Sequence, residues 1–218
     1  MARVRQVAFT VLELLIVITI IALIAALLFP LFAQARKRAR ETQCMNNLRQ
    51  VYVAWSLYTS DYQDSPPPDF RHFVPYVRSR AVLLCPNDQY HGFNSDATAH
   101  SKTPISYDYK GFLFTTQMQD LRLIREHDTN FGILLCYLHG RFYGPLSTAK
   151  PTEAYYCGKV LRVRRDGSVK AVDVPLRARE HSQGRCLWEL VTDLPMPADY
   201  GAKGGPEAIC RGTVLCTR

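Results

Sequence analysis

Residues 7–40 read VAFTVLELLIVITIIALIAALLFPLFAQARKRAR. The run from Phe9 to Phe32 holds 24 residues (32 − 8) and carries one charge, the carboxylate of Glu13. A helix needs about 20 apolar residues to cross a bilayer, so this one is long enough to span. A secretory signal has a shorter apolar region of about 7–15 residues with a small-residue cleavage site behind it. Here the run ends in Phe29-Pro30-Leu31-Phe32 and passes straight into a basic helix, with no A-x-A site at a suitable place. The segment is therefore expected to stay on the protein as a transmembrane helix. Arg36, Lys37, Arg38 and Arg40 then mark the membrane–water boundary.

Glu13 needs a reason. A charge at the bilayer centre costs on the order of 2.5–3.5 kcal/mol on insertion scales, and less near the end of the span. Two readings stand side by side. Glu13 is an interfacial acid favoured by the positive end of the helix dipole, or it meets a cation inside the membrane. A free amino group created at Phe9 would be such a cation.

The residues around it resemble a known pattern. Ala8-Phe9-Thr10-Val11-Leu12-Glu13 is similar to the processing motif of type IV prepilins, in which a small residue precedes Phe-Thr-Leu-Ile-Glu. The short leader, residues 1–8, contains Arg3 and Arg5, as such leaders do. The resemblance implies cleavage between Ala8 and Phe9 by a prepilin peptidase, with methylation of the new N-terminal Phe9. Glu13 becomes the fifth mature residue (13 − 8), the acid of the family's assembly register. Pro30 becomes the twenty-second (30 − 8), where many pilins bend the helix. The departure is Ala8 in the place usually held by Gly. The resemblance assigns Glu13 to neutralising a neighbouring subunit's amino terminus, because unpaired charges in hydrocarbon are costly.

Beyond Pro30 the helical pattern continues. Met45, Leu48, Tyr52, Trp55 and Tyr62 recur at spacings of 3, 4, 3 and 7, the signature of one buried face. Asp64-Ser65-Pro66-Pro67-Pro68 stops the helix after about Asp61. Residues 33–62 are thus the extracytoplasmic half of the helix and residues 63–174 a small head. Phe73 to Val77 and Ala81 to Pro86 are short apolar pieces. Ile105 to Phe114 alternates with aromatics, Phe131 to Leu138 is a buried strand candidate, and Tyr155 begins another. Lys159 to Val174 carries Asp166-Gly167 between two alternating runs, a hairpin. The fold class is α+β: a long N-terminal transmembrane helix packed on a small antiparallel sheet. Residues 175–218, rich in Gly and Pro, read as an irregular extension tied down by cysteines.

Cys44-Met45-Asn46-Asn47-Leu48-Arg49-Gln50, Cys85-Pro86 and Asp166-Gly167-Ser168-Val169-Lys170 sharpen the likeness. They resemble the type II secretion G-like, or H-X9-DG, prepilin-like proteins. Tyr156 stands where that family has its His.

Other chemistry is sparse. The chain carries +8 (27 Lys+Arg, 19 Asp+Glu) spread along its length, so no nucleic-acid partner is expected. Ser147-Thr148-Ala149-Lys150 matches S-x-x-K but has no companion motif, so no catalytic residue and no enzyme activity are assigned. Asp88, Asn94, Asp96 and Asp108 fit no calcium template. The seven cysteines form no C-x-x-C pair, and His72, His91, His100, His127, His139 and His181 never fall at chelating helical spacing. No metal and no cofactor are expected. For an exported head, Cys44 with Cys85 and Cys210 with Cys216 are the candidate disulfides. The expected role is a prepilin-like subunit of a type IV pilus or a type II secretion pseudopilus. Its partners would be the peptidase, other pilin or pseudopilin subunits and the inner membrane, crossed once with the head outside the cytoplasm. The alternative is a membrane-anchored extracytoplasmic binding or enzymatic domain.

Overall fold

The computed structural model describes residues 10–110, 128–143, 155–174 and 192–194. One helix, α1 (Val11–Asp61), is followed by the short helix α2 (Phe70–Phe73), two 3-10 turns (Val74–Tyr76 and Arg80–Leu83) and α3 (Ser95–Ser101). Four strands come after them: β1 (Asp108–Tyr109), β2 (Gly132–Tyr143), β3 (Tyr155–Arg164) and β4 (Val169–Val174). They form one antiparallel sheet in the order β1-β2-β3-β4. The α+β expectation holds: the Phe131–Leu138 candidate, the segment from Tyr155 and the Asp-Gly hairpin fall on β2, β3 and β4, while of Ile105 to Phe114 only Asp108–Tyr109 is a strand among the described residues.

The chain divides into two compact units, Met1–Arg40 and Glu41–Arg218, and the division falls inside α1. In the first unit, Val11, Leu12, Leu14, Leu15, Ile16 and their successors to Phe32 are exposed apolar side chains. Among the described residues α1 is the one helix long and apolar enough to cross a membrane. Pro30 lies inside it and has no N–H to offer the carbonyl four residues back, that of Ala26.

In the second unit α1 buries Cys44, Leu48, Val51, Ala54, Trp55, Tyr58 and Thr59. This corrects the expected stripe. Leu48 and Trp55 are shared, but Tyr62 is 54% exposed and Met45 and Tyr52 are only partly buried. Met45 and Tyr52 lie to one side of the true face, while Tyr62 lies on its line but beyond its last buried residue, Thr59. The face includes two small residues, Cys44 and Ala54, which let the helix backbone come close to the head. Trp55 Nε1 donates to Tyr109 Oη (3.1 Å), and Tyr109 Oη donates to the Pro67 carbonyl (2.7 Å). Phe70 and Phe73 pack edge-on against the same Tyr109 ring. The tyrosine thus ties the helix to the proline run that ends it.

The β3–β4 hairpin docks on α1 at its turn. Tyr52 Oη donates to the Arg165 carbonyl (2.8 Å). Gly167 has φ +81, and a Cβ there would lie 2.6 Å from the Tyr52 ring. Both the left-handed backbone and the close approach require glycine. Gly167→Ala is expected to destabilise the protein by about 2 kcal/mol, from the left-handed cost of about 1–2 kcal/mol plus the displaced ring. A chemical denaturation midpoint unchanged within about 0.5 kcal/mol would contradict this.

Alternation along β3 predicts Arg162 outside, but the strand is covered on both faces. Val160, Leu161, Arg162 and Val163 are all buried, Arg162 completely. Its stem lies against Gly132, where a Cβ would come within 2.4 Å of it. Its guanidinium pairs with Asp193, which Arg164 and Lys170 also reach. Burial, with Arg164 adding to it, pulls the Arg162 guanidinium down to about 10. The counter-charge is remote in sequence, so no local pattern shows it.

Candidate metal centre

Three sulfurs and an imidazole converge in the head. Cys44 Sγ, Cys85 Sγ, Cys136 Sγ and a ring nitrogen of His139 all lie within 4.8 Å of one another. Cys44, Cys85 and Cys136 are buried and His139 is half-buried. The four come from three places in the chain: α1, the loop after the second 3-10 turn, and β2.

Each is placed by identifiable contacts. Cys44 is on the face of α1 that packs inward, one turn before Leu48. The loop bearing Cys85 is held on both sides. Asn47 Nδ2 donates to the Leu84 carbonyl (3.0 Å), and the Cys85 amide donates to Ser106 Oγ (2.9 Å). Ser106 Oγ in turn donates to Asp88 (2.6 Å). The Asn87 amide then donates back to Cys85 Sγ (3.4 Å). Such an N–H···S contact stabilises negative charge on sulfur.

β2 supplies two donors through an irregularity. Residues three apart on a regular strand point to opposite faces. Cys136 pairs with Leu161 and His139 with Lys159, so β2 takes three steps where β3 takes two. The extra residue is a bulge, and it turns His139 to the side of Cys136. Cys85 Sγ is 3.4 Å from His139 Nε2, and Asn87 Nδ2 is 3.2 Å from His139 Nδ1 and donates to the Leu138 carbonyl (3.1 Å). The ring is thereby held with Nε2 toward the sulfurs.

Burial pushes the Cys136 thiol well above its usual range. At Cys44 the Cys136 thiol acts in the opposite direction, but Cys85 and burial together push it up. Cys85 goes down, through Cys136 and Cys44 first and then His139 and the Asn87 amide.

Two chemistries use a cysteine beside a histidine. Cys85, His139 and Asn87 stand in the order of a nucleophile, its base and an orienting amide. However, Cys85 is 3% exposed and two further thiols crowd it, which leaves no approach for a reacting carbonyl. The set fits soft-metal ligation instead.

The expected Cys44–Cys85 pair is brought together but not joined. The two sulfurs do meet, but Cys44, Cys85 and Cys136 are free thiols, and a third sulfur and an imidazole share the space. The expectation of no metal ligand set rested on local spacing, and here the donors gather from residues 44 to 139. Cys136 was visible only as part of a buried strand, and His139 as the residue after it. Asp88 is a structural acid, accepting from the amides of Tyr90, Gly92 and Phe93 (2.8, 2.9 and 2.9 Å) and from Ser106. Asp108 lies with Lys110 (2.8 Å) and Tyr137 Oη (3.1 Å).

Ala8 and Phe9 lie outside the described residues, as do Cys210, Cys216 and the Ser147–Lys150 motif. Glu13 is described. Its Oε2 accepts from the Thr10 amide (2.9 Å) and Thr10 Oγ1 (2.8 Å), while the Glu13 amide donates to Thr10 Oγ1 (3.2 Å). This reciprocal pair is a capping box at the start of α1.

Residues 33–80 match a family model, SBP_bac_10, described as a protein of unknown function (DUF1559). The match takes in the outer part of α1 with Cys44 and stops before Cys85. No curated protein matches the chain. No solved structure matches it either.

Proposed function

We propose that the chain is a prepilin-like structural subunit without catalytic activity of its own. A prepilin peptidase cleaves it between Ala8 and Phe9 and methylates Phe9. The subunit then assembles with other pilin or pseudopilin subunits into a type IV pilus or a type II secretion pseudopilus. Before assembly it sits in the inner membrane as a single-pass protein with its head outside the cytoplasm.

The observation that carries this reading is the two-part character of α1. One continuous helix exposes apolar side chains from Val11 to Phe32 and buries a face of Cys44, Leu48, Val51, Trp55 and Tyr58 in an α+β head. An exposed apolar surface of that length is stable only in lipid or against other such helices. The family-model match supports the reading by position, since it falls on the segment where Cys44 to Gln50 carries the prepilin-like resemblance.

The test is the mature N-terminus. Co-expression with a prepilin peptidase should yield protein that begins at Phe9, with the mass of one added methyl group, and that still partitions with membranes. A chain that begins at Met1, or after Phe32, would overturn the proposal.

A further inference from the structure

We propose that Cys44, Cys85, Cys136 and His139 form a closed structural site for one zinc ion, which fastens α1 to the sheet. The inference concerns the head alone and stands or falls separately from filament assembly.

The donor set carries it. A tetrahedral zinc site has sulfurs at about 2.3 Å and a nitrogen at about 2.0–2.1 Å, so its donors lie about 3.5–3.8 Å apart. The four donors are already within 4.8 Å of one another, with Cys85 Sγ to His139 Nε2 at 3.4 Å. A contraction of about 1 Å at the widest edge completes the geometry. Three cysteines and one histidine is also the composition of closed structural zinc sites, with no position left for water.

The surroundings agree. The bulge in β2 has the effect of aiming His139 at the sulfurs. The Asn87 amide donates to Cys85 Sγ, and Tyr107 Oη lies 3.9 Å from Cys44 Sγ. Both can offset the net negative charge of three thiolates on a divalent cation. With zinc on Nε2, His139 Nδ1 carries the proton, and Asn87 Nδ2 keeps its bond to the Leu138 carbonyl and gives way from its 3.2 Å approach to Nδ1. A disulfide uses the site poorly by comparison. Any one bond among three sulfurs leaves a lone buried thiol and an idle imidazole beside it.

No redox step is involved. Zinc enters as the divalent ion, the thiols release their protons to solvent, and four coordinate bonds form. The bonds join residue 44 to residues 85, 136 and 139, so metal binding stabilises the folded head directly.

The experiment uses the full chain, purified in detergent without chelator. Elemental analysis should give one zinc per chain. Cobalt(II), added alone to metal-stripped protein, should give the intense visible bands of a tetrahedral thiolate site, and one equivalent of zinc should remove them. Cys136→Ser and His139→Ala should each lose the bound zinc or the tetrahedral cobalt spectrum, while Cys210→Ser keeps both. The wild-type cobalt spectrum reads the site even where a variant fails to fold. Absence of that spectrum in reduced, folded wild-type protein would overturn the proposal. So would a peptide map of protein purified without reductant that finds Cys44, Cys85 or Cys136 in a disulfide at one bond per chain.

Discussion

Asp88→Ala is expected to lower the stability of the protein by about 1–3 kcal/mol, the cost of leaving the one buried donor, the Ser106 hydroxyl, without its acceptor, with a smaller part from three half-buried amides. The carboxylate accepts four hydrogen bonds, three from backbone amides of its own loop and one from Ser106. Ser106 also accepts from the Cys85 amide, so the loss spreads to the loop that carries a cluster sulfur. Asp88→Asn keeps one acceptor oxygen and should lose about half as much. Burial alone would raise the Asp88 carboxyl, but Ser106 and the three amides more than offset it and hold it below the usual range. A depressed acid stabilises the fold fully above its unfolded titration and loses that contribution as pH falls through the folded value. Wild-type stability should therefore decline from about pH 4 downward in part because of Asp88, and Asp88→Ala should lack that part of the slope. Denaturant titrations followed by the fluorescence of buried Trp55 measure both effects. A loss under about 1 kcal/mol for the alanine variant would mean that water replaces the carboxylate.

The elements that the sequence reveals are those whose signal is local. The apolar run from Phe9 and the proline stop after Asp61 place α1, and Asp166-Gly167 places the β3–β4 hairpin, because each depends on neighbouring residues alone. The rotation of the buried face of α1 is not legible. It is set by the side that the head covers, whereas a reading by hydrophobic size favours Met45 and Tyr52. Arg162 defeats alternation for a related reason: its partner Asp193 is 31 residues away, and only the folded chain shows that both faces of β3 are covered. The thiol cluster is the clearest case. Cys44, Cys85 and Cys136 stand 41 (85 − 44) and 51 (136 − 85) residues apart in the chain, and His139 joins them through a one-residue bulge. Of that set, the sequence pointed to Cys44 and Cys85 as neighbours, by placing one on the stem and one at the edge of the head. It could not give the third and fourth donors, because a bulge leaves no mark in the hydrophobic pattern.

Glu13→Gln and Glu13→Val should behave differently, and the comparison separates two roles for one carboxylate. The structure gives Glu13 a partner within its own chain, the amide and hydroxyl of Thr10. Glutamine can make the same capping box, since either side chain serves at that position, while valine cannot. If capping is all that Glu13 does, the glutamine variant should enter filaments as wild type does. The proposed assembly role depends on charge instead. In the mature subunit the acid would face the methylated amino group of a neighbouring Phe9, where an unpaired charge costs on the order of 2.5 kcal/mol or more in hydrocarbon. Under that role both variants should still insert in the membrane and be cleaved. Both should also be recovered in sheared filaments at least about tenfold less than wild type, a factor that needs only about 1.4 kcal/mol. Valine should fall further than glutamine by the lost half of the capping box, about 0.5–1.5 kcal/mol, since Thr10 still accepts from the amide of residue 13. Immunoblots of sheared and membrane fractions from cells co-expressing wild-type and variant subunits give the ratio. Wild-type recovery of Glu13→Gln would assign the residue to the helix start alone and leave the register between subunits to the packing of apolar side chains.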